Sequence, residues 1–190
     1  MGKYTVRDVL LRAGVTVLAL ILIWILADKL NFSASEEYRD LPALSVSSVS
    51  ITEETSSDMS IPAAVRSFEM NLRYDGGNEI IRHYDVKGKD ENSNIYGYVQ
   101  VWKAGQGLAH YLKISREYMS ANVFGFREED IKINGAVWKK WEYIVNDIAV
   151  AQGFYEKNGE ITICSLCVPY REKTYAFDRI FSEIIESIVT

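Results

Sequence analysis

Hydrophobic and polar positions alternate with a period of two over most of residues 67–190 and shift twice to a helical period. Residues 68–74, running from Phe68 to Tyr74, and 79–87, with Ile80, Ile81, Tyr84 and Val86, flank Asp75-Gly76-Gly77-Asn78, which predicts a first hairpin. In residues 95–103, Ile95, Gly97, Val99 and Val101 share one face, while Tyr96, Tyr98, Gln100 and Trp102 share the other. Leu108, Tyr111, Leu112, Ser115, Tyr118 and Met119 then recur at helical spacing and predict a helix of about three turns. Beyond it, Asn134-Gly135 joins strands predicted over 130–134 and 137–146, and Asn158-Gly159 joins 148–155 to 160–168. The chain closes on Phe177, Ile180, Phe181, Ile184, Ile185 and Ile188, an amphipathic helix whose apolar face needs a sheet to cover.

Residues 161–168 are apolar on both faces, as in a sheet covered on both sides. The fold class expected is therefore α+β, an antiparallel β-sheet flanked by helices. This domain is expected over residues 63–190.

The opposite pattern marks the start. Residues 13–27 carry no charge, follow Lys3, Arg7 and Arg12, and precede Asp28. Extended back to Val9, with Arg12 reaching toward the headgroups, the run spans roughly 28 Å as a helix, close to the ~30 Å hydrocarbon core. The expectation is a transmembrane signal-anchor over residues 9–29, with residues 1–8 cytoplasmic. Basic residues are retained on the cytoplasmic side, so the rest of a single-pass protein would lie outside the cytoplasm at the cell membrane. A cleaved signal peptide ending near Ser33-Ala34-Ser35 is the alternative, and it exports the same domain. Residues 30–62, rich in Ser, Glu and Thr, read as a flexible tether.

Charge narrows the partners. Without residues 1–28 the chain carries about −6, which argues against nucleic acid, since phosphate binding needs clustered Lys and Arg. Lys139-Lys140 is the only adjacent basic pair, and alternation puts its members on opposite faces of a strand. Two cysteines make no disulfide scaffold.

Candidate chemistry is sparse. Cys164 and Cys167 have the spacing of a redox dithiol, but a strand would place them roughly 10 Å apart on opposite faces, away from any helix N-terminus. They are therefore expected as buried thiols, with a thiol oxidoreductase kept as an alternative. His83, mid-strand, and His110, at a helix start, are the only histidines. Glu128-Glu129-Asp130 reads as a solvated acidic turn rather than a cation site. Phosphate loops, zinc-binding helix motifs and nucleophile elbows have no match in the sequence. No metal or cofactor is expected. Trp102, Trp138, Trp141 and Tyr143 fall on strands, with Trp141 and Tyr143 on one face and Trp138 on the other. They are core residues, or a binding surface if one face is left uncovered.

Several of these segments together resemble the PsbP-like domains. They are Gly97-Tyr98-Val99-Gln100-Val101-Trp102 before a helix, Ile133-Asn134-Gly135 with Trp138, Gly153-Phe154-Tyr155, Asn158-Gly159-Glu160-Ile161 and the closing Ile184-Ile185-Glu186-Ser187-Ile188. The family comprises extrinsic photosystem II subunits and a wider set of bacterial exported proteins. The resemblance, over residues 67–190, implies an α-β-α sandwich, while an anchor and Ser-rich tether depart from the photosynthetic members. The function expected is a membrane-anchored, extracytoplasmic, non-catalytic binding or assembly module for a protein partner. A small-ligand-binding domain, with its pocket between the sheet and the first helix, is the alternative.

Overall fold

A computed structural model of the chain describes residues 48–53 and 61–189. The apolar run of residues 13–27 and its basic flank lie outside the described residues. Among those described, no helix is long and apolar enough to cross a membrane.

Seven strands form one antiparallel sheet in the order β1-β2-β3-β7-β6-β5-β4. They are β1 (Val49–Glu53), β2 (Glu79–Gly88), β3 (Tyr96–Lys103), β4 (Phe124–Ile133), β5 (Ala136–Val145), β6 (Ile148–Lys157) and β7 (Glu160–Pro169). Helices α1 (Ser67–Tyr74), α2 (Leu108–Asn122) and α3 (Tyr175–Val189) complete the α+β fold, with a 3-10 turn at Tyr170–Glu172 before α3. The expected Asn-Gly turns join β4 to β5 and β6 to β7. Asn134, Gly135, Asn158 and Gly159 all have positive φ, as two-residue hairpin turns of this hand require.

Strands β3 and β4 run in the same direction, four inter-strand spacings apart, so their connection must return along the sheet while crossing about 19 Å. Helix α2 makes that crossing; its fifteen residues extend about 22 Å. Gly107 at its N-cap offers no side-chain acceptor. Instead Glu156 of β6 reaches over, and its Oε2 accepts from the Leu108 N–H (2.8 Å), satisfying a donor that the helix start leaves free.

The two faces are built differently. Helices α1 and α2 cover one, where Phe68, Leu72, Tyr111 and Met119 meet the large strand residues Trp102, Trp141, Phe154 and Ile161. Helix α3 covers the other, where Phe181, Ile184 and Ile185 lie against Ala149, Ala151, Val99 and Leu166. That strip is small because the helix lies close. A Cβ added to Gly153 would sit 2.9 Å from Ile185 Cδ1 and 3.2 Å from both Phe181 and Trp138.

Three expectations change. Residues 67–74 form a helix, not the first strand of a hairpin: Val65, Phe68 and Leu72 are buried at helical spacing, and Glu69 pairs with Arg73 one turn on (2.7 Å). Gly76 and Gly77, both at positive φ, follow the end of that helix, where Asp75 N–H donates to Asn71 O (3.1 Å). The edge partner of β2 is instead β1, in register from Val49 opposite Gly88 to Glu53 opposite Tyr84. The sheet thus begins within the stretch whose composition reads as a tether, and Ile61, Ala64 and Val65 are also buried. Finally, β4 starts at Phe124, six residues before the expected strand.

Burial of the closing helix sets clear expectations for stability. Ile184→Asp places a charge at a fully buried position in the α3 contact, at a cost of several kcal/mol against a total of about 5–15, and the domain should fail to fold. Gly153→Ala should lower the melting midpoint, whereas Glu186→Ala, on the exposed face, should change stability by less than about 0.5 kcal/mol. Thermal melts decide between these; an unchanged midpoint for Ile184→Asp would refute the packing.

Candidate functional site

Alternation along β5 places the aromatics as expected, and packing then buries all of them. Trp138 is fully buried on the α3 side, stacked on Tyr155 (ring centroids 5.2 Å apart, 21° between planes). Trp141 is fully buried on the opposite side between Phe126 and Phe154, and its Nε1–H donates to Glu128 Oε2 (3.1 Å). Tyr143 donates to Gln152 Oε1 (2.8 Å), and burial pushes its phenol well above the ordinary value. Trp102 lies under the Arg73 guanidinium, 5.2 Å from the ring centroid. Trp102, Trp138, Trp141 and Tyr143 are therefore core residues on two faces and form no common surface. The space between the sheet and α2 is filled by Tyr111, Met119, Trp141 and Phe154, so the pocket expected there is closed.

Cys164 and Cys167 are free thiols that β7 sends to opposite faces, Cys164 to the α3 core and Cys167 to the α1–α2 core. Burial raises both; Cys167 is pushed up to about 12, and Cys164 is raised further by its neighbour. A thiolate nucleophile is scarce under those conditions. In the native protein both should resist alkylation at neutral pH and react only on unfolding, as mass spectrometry of iodoacetamide-treated samples would show. Rapid native labelling of Cys164 or Cys167 would contradict their placement.

His83 belongs to a buried hydrogen-bond chain with a defined direction. The Trp102 Nε1–H can only donate, and it does so to Gln100 Oε1 (2.9 Å). Gln100 Nε2 is thereby left to donate to His83 Nδ1 (3.0 Å), and His83 Nε2–H to donate to Asp85 Oδ1 (3.1 Å). Both ends of the Gln100 amide and both ring nitrogens of His83 are thereby paired. A second buried amide, Gln152 of β6, donates to Ser165 Oγ and to the Val65 carbonyl (both 2.8 Å) and so fastens the segment leading into α1. His110 is exposed at the start of α2, edge-on to Tyr111.

The acidic run Glu128-Glu129-Asp130 does not converge. Glu128 faces Trp141 and Arg116, while Glu129 and Asp130 pair across to Lys140 (3.2 Å) and Lys139 (2.6 Å) of β5. No cluster of His, Cys, Asp or Glu suited to a metal occurs among the described residues.

What the sequence did not signal is a set of clefts around the end of the sheet where β4 begins. A bulge between Phe124 and Arg127, with Gly125 at positive φ, opens the β4–β5 ladder. Beside it lies a cleft of about 710 Å³ lined by Phe126, Arg127, Tyr143, Ile144, Tyr170 and Lys173. A second, of about 520 Å³, lies on the other side of Tyr170 between Asn146, Asp147, Pro169 and Arg171. Glu142 stands at the margin of the first and binds Lys140 (2.6 Å), Arg127 and, more distantly, Lys173 (3.7 Å). The Lys140 and Lys173 ammonium groups in turn lie 5.7 Å and 5.9 Å from the ring centroids of Phe181 and Phe177 on α3.

Partial burial works to raise the Glu142 carboxyl, but the hydrogen bond and charge of Lys140, followed by the charges of Lys173 and Arg127, outweigh it and hold the group below its ordinary value. The sign follows from that depression: the stabilisation is present above the unfolded carboxylate value and is lost as pH falls through the lower folded one. Glu142→Gln should cost about 1–2 kcal/mol at neutral pH, and melts run down into the acid range should show the gap from the parent closing. A gap independent of pH would assign the loss to packing instead.

No family model, curated protein or solved structure matches this chain.

Proposed function

We propose that this protein is a membrane-anchored, extracytoplasmic, non-catalytic binding or assembly module. The observation that carries this reading is that the side chains singled out for reactivity, Cys164, Cys167 and His83, are buried and committed to packing or to internal hydrogen bonds. With them inside, the chemistry presented to a partner is that of a recognition surface. The anchor comes from the uncharged run of residues 13–27 behind Lys3, Arg7 and Arg12. The partner class proposed is protein, since the exported portion is acidic and offers no clustered cations for nucleic acid.

The resemblance to PsbP-like domains enters this proposal at the level of arrangement. An antiparallel sheet with helices on both faces supports it, and it carries no assignment of activity. For a small-ligand role, the clefts beside Tyr170 offer room that the occupied space under α2 does not.

Protease added to intact cells or spheroplasts tests the topology. The chain should be cut between the apolar run and Val49, releasing a resistant core that retains β1, because β1 is hydrogen-bonded along β2. Cleavage only after lysis would reverse the orientation and refute the proposal.

A further inference from the structure

Two independent features meet at one end of the sheet. The first is where β1 begins. Val49 lies opposite Gly88, and the ladders carry that edge across through Tyr96, Cys167, Ile148 and Val145 to Phe124, the first residue of β4. The 3-10 turn lies at the same end, since Tyr170 N–H donates to Asp147 O (2.7 Å) in the β5–β6 turn, and α3 starts just beyond it. About twenty residues separate Val49 from the end of the uncharged run. As a random coil that length has an r.m.s. reach of about 25 Å, close to the dimension of the domain itself.

The second feature is exposed aromatic surface. Phe124 is 77% exposed, Tyr170 53% and Tyr175 86%, and all three stand at this end. Among the described residues the other exposed aromatics are Tyr74, on α1, and Tyr118, near the end of α2 that leads into Phe124. Along this end of the sheet Lys87, Lys89, Arg127, Arg171 and Lys173 are interspersed with Asp90, Glu91, Glu142, Asp147 and Glu172. The mixture is near neutral where the exported chain as a whole is acidic, so an anionic headgroup surface is not repelled here as it would be elsewhere.

We propose that this end of the domain docks on the lipid bilayer, with Phe124, Tyr170 and Tyr175 seated in the headgroup region. Aromatic rings with one polar edge are favoured at that depth, and a short connection holds their local concentration high. The inference rests on the anchored reading above and adds an orientation to it. The β6–β7 turn at Asn158-Gly159, at the other end of the strands, then points away from the membrane.

The test uses the full chain reconstituted in vesicles of phosphatidylcholine and phosphatidylglycerol brominated near the headgroup. A polarity-sensitive fluorophore is placed on Arg171→Cys or, about 30 Å along the sheet, on Lys157→Cys; the native thiols are buried and stay unlabelled. The Arg171 label should lose most of its emission and the Lys157 label should keep it. Adding Phe124→Ser and Tyr175→Ser to Arg171→Cys should restore emission while circular dichroism stays unchanged. If the chain floats with the vesicles and the Arg171 label is not preferentially quenched, docking is refuted and the anchor stands. Quenching that survives both serine changes refutes the aromatic contact. A chain that does not float with the vesicles refutes the anchored reading and this orientation with it.

Discussion

Pairing between β3 and β7 makes one sheet out of two antiparallel units. Strands β4 to β7 form a local meander, strands β1 to β3 pair in sequence with α1 inserted between β1 and β2, and only the ladder from Tyr96 opposite Cys167 to Lys103 opposite Glu160 joins the two units. Neither unit alone offers a surface on which all three helices can rest. Because β3 and β4 must run parallel for that ladder to form, the connection between them has to recross the sheet, and α2 is the element that does so. The cost is entropic, since the ladder closes a loop of more than fifty residues before any of its hydrogen bonds form.

The two helical layers solve the burial problem in opposite ways. On the α3 side the sheet is smoothed by Gly153, Ala149 and Ala151, so a single long helix fits closely. On the other side, α1 and α2 meet a rough surface of Trp and Phe rings, and the gaps left by large rigid side chains are bridged by polar groups. Gln100 and Gln152 do this in the same manner, each using both ends of its amide. A buried amide so placed excludes any arrangement that leaves one of its atoms unpaired. Gln100 thus fixes Trp102 and His83 across β3 and β2, and Gln152 ties the segment entering α1 to the sheet.

Much of this fold can be read along the chain, because hairpins closed by Asn134-Gly135 and Asn158-Gly159 and the stripe from Phe177 to Ile188 depend on local chemistry. The misreadings have a common cause. Phe68 and Tyr74 bound a segment that precedes two glycines, a pattern shared by a hairpin and by a helix with a glycine end, although Glu69, Met70, Leu72 and Arg73 between them are helix formers; the buried set Val65, Phe68 and Leu72 decides between the two, and burial is a tertiary property. Strand β1 is short and polar on its exposed side, so it acquires its identity from β2 rather than from its own residues. At the candidate site, alternation placed Trp138, Trp141 and Tyr143 on the right faces, and the separation of Cys164 from Cys167 was equally legible. The clefts beside Tyr170 were not, because they arise where a bulge, a turn and a helix start meet from three distant parts of the chain.

The ion pairs along β4 have a further consequence. Arg127, Glu129 and Asp130 point across to Glu142, Lys140 and Lys139 and leave a row of charge on the outermost strand, which the bulge at Gly125 also twists out of line. The opposite margin, β1, is only five residues long. A sheet bounded this way is a poor template for another strand at either margin. Self-templated fibre growth is thereby suppressed even where many copies share one crowded surface, and association is steered toward the turns and helix starts at the ends of the strands.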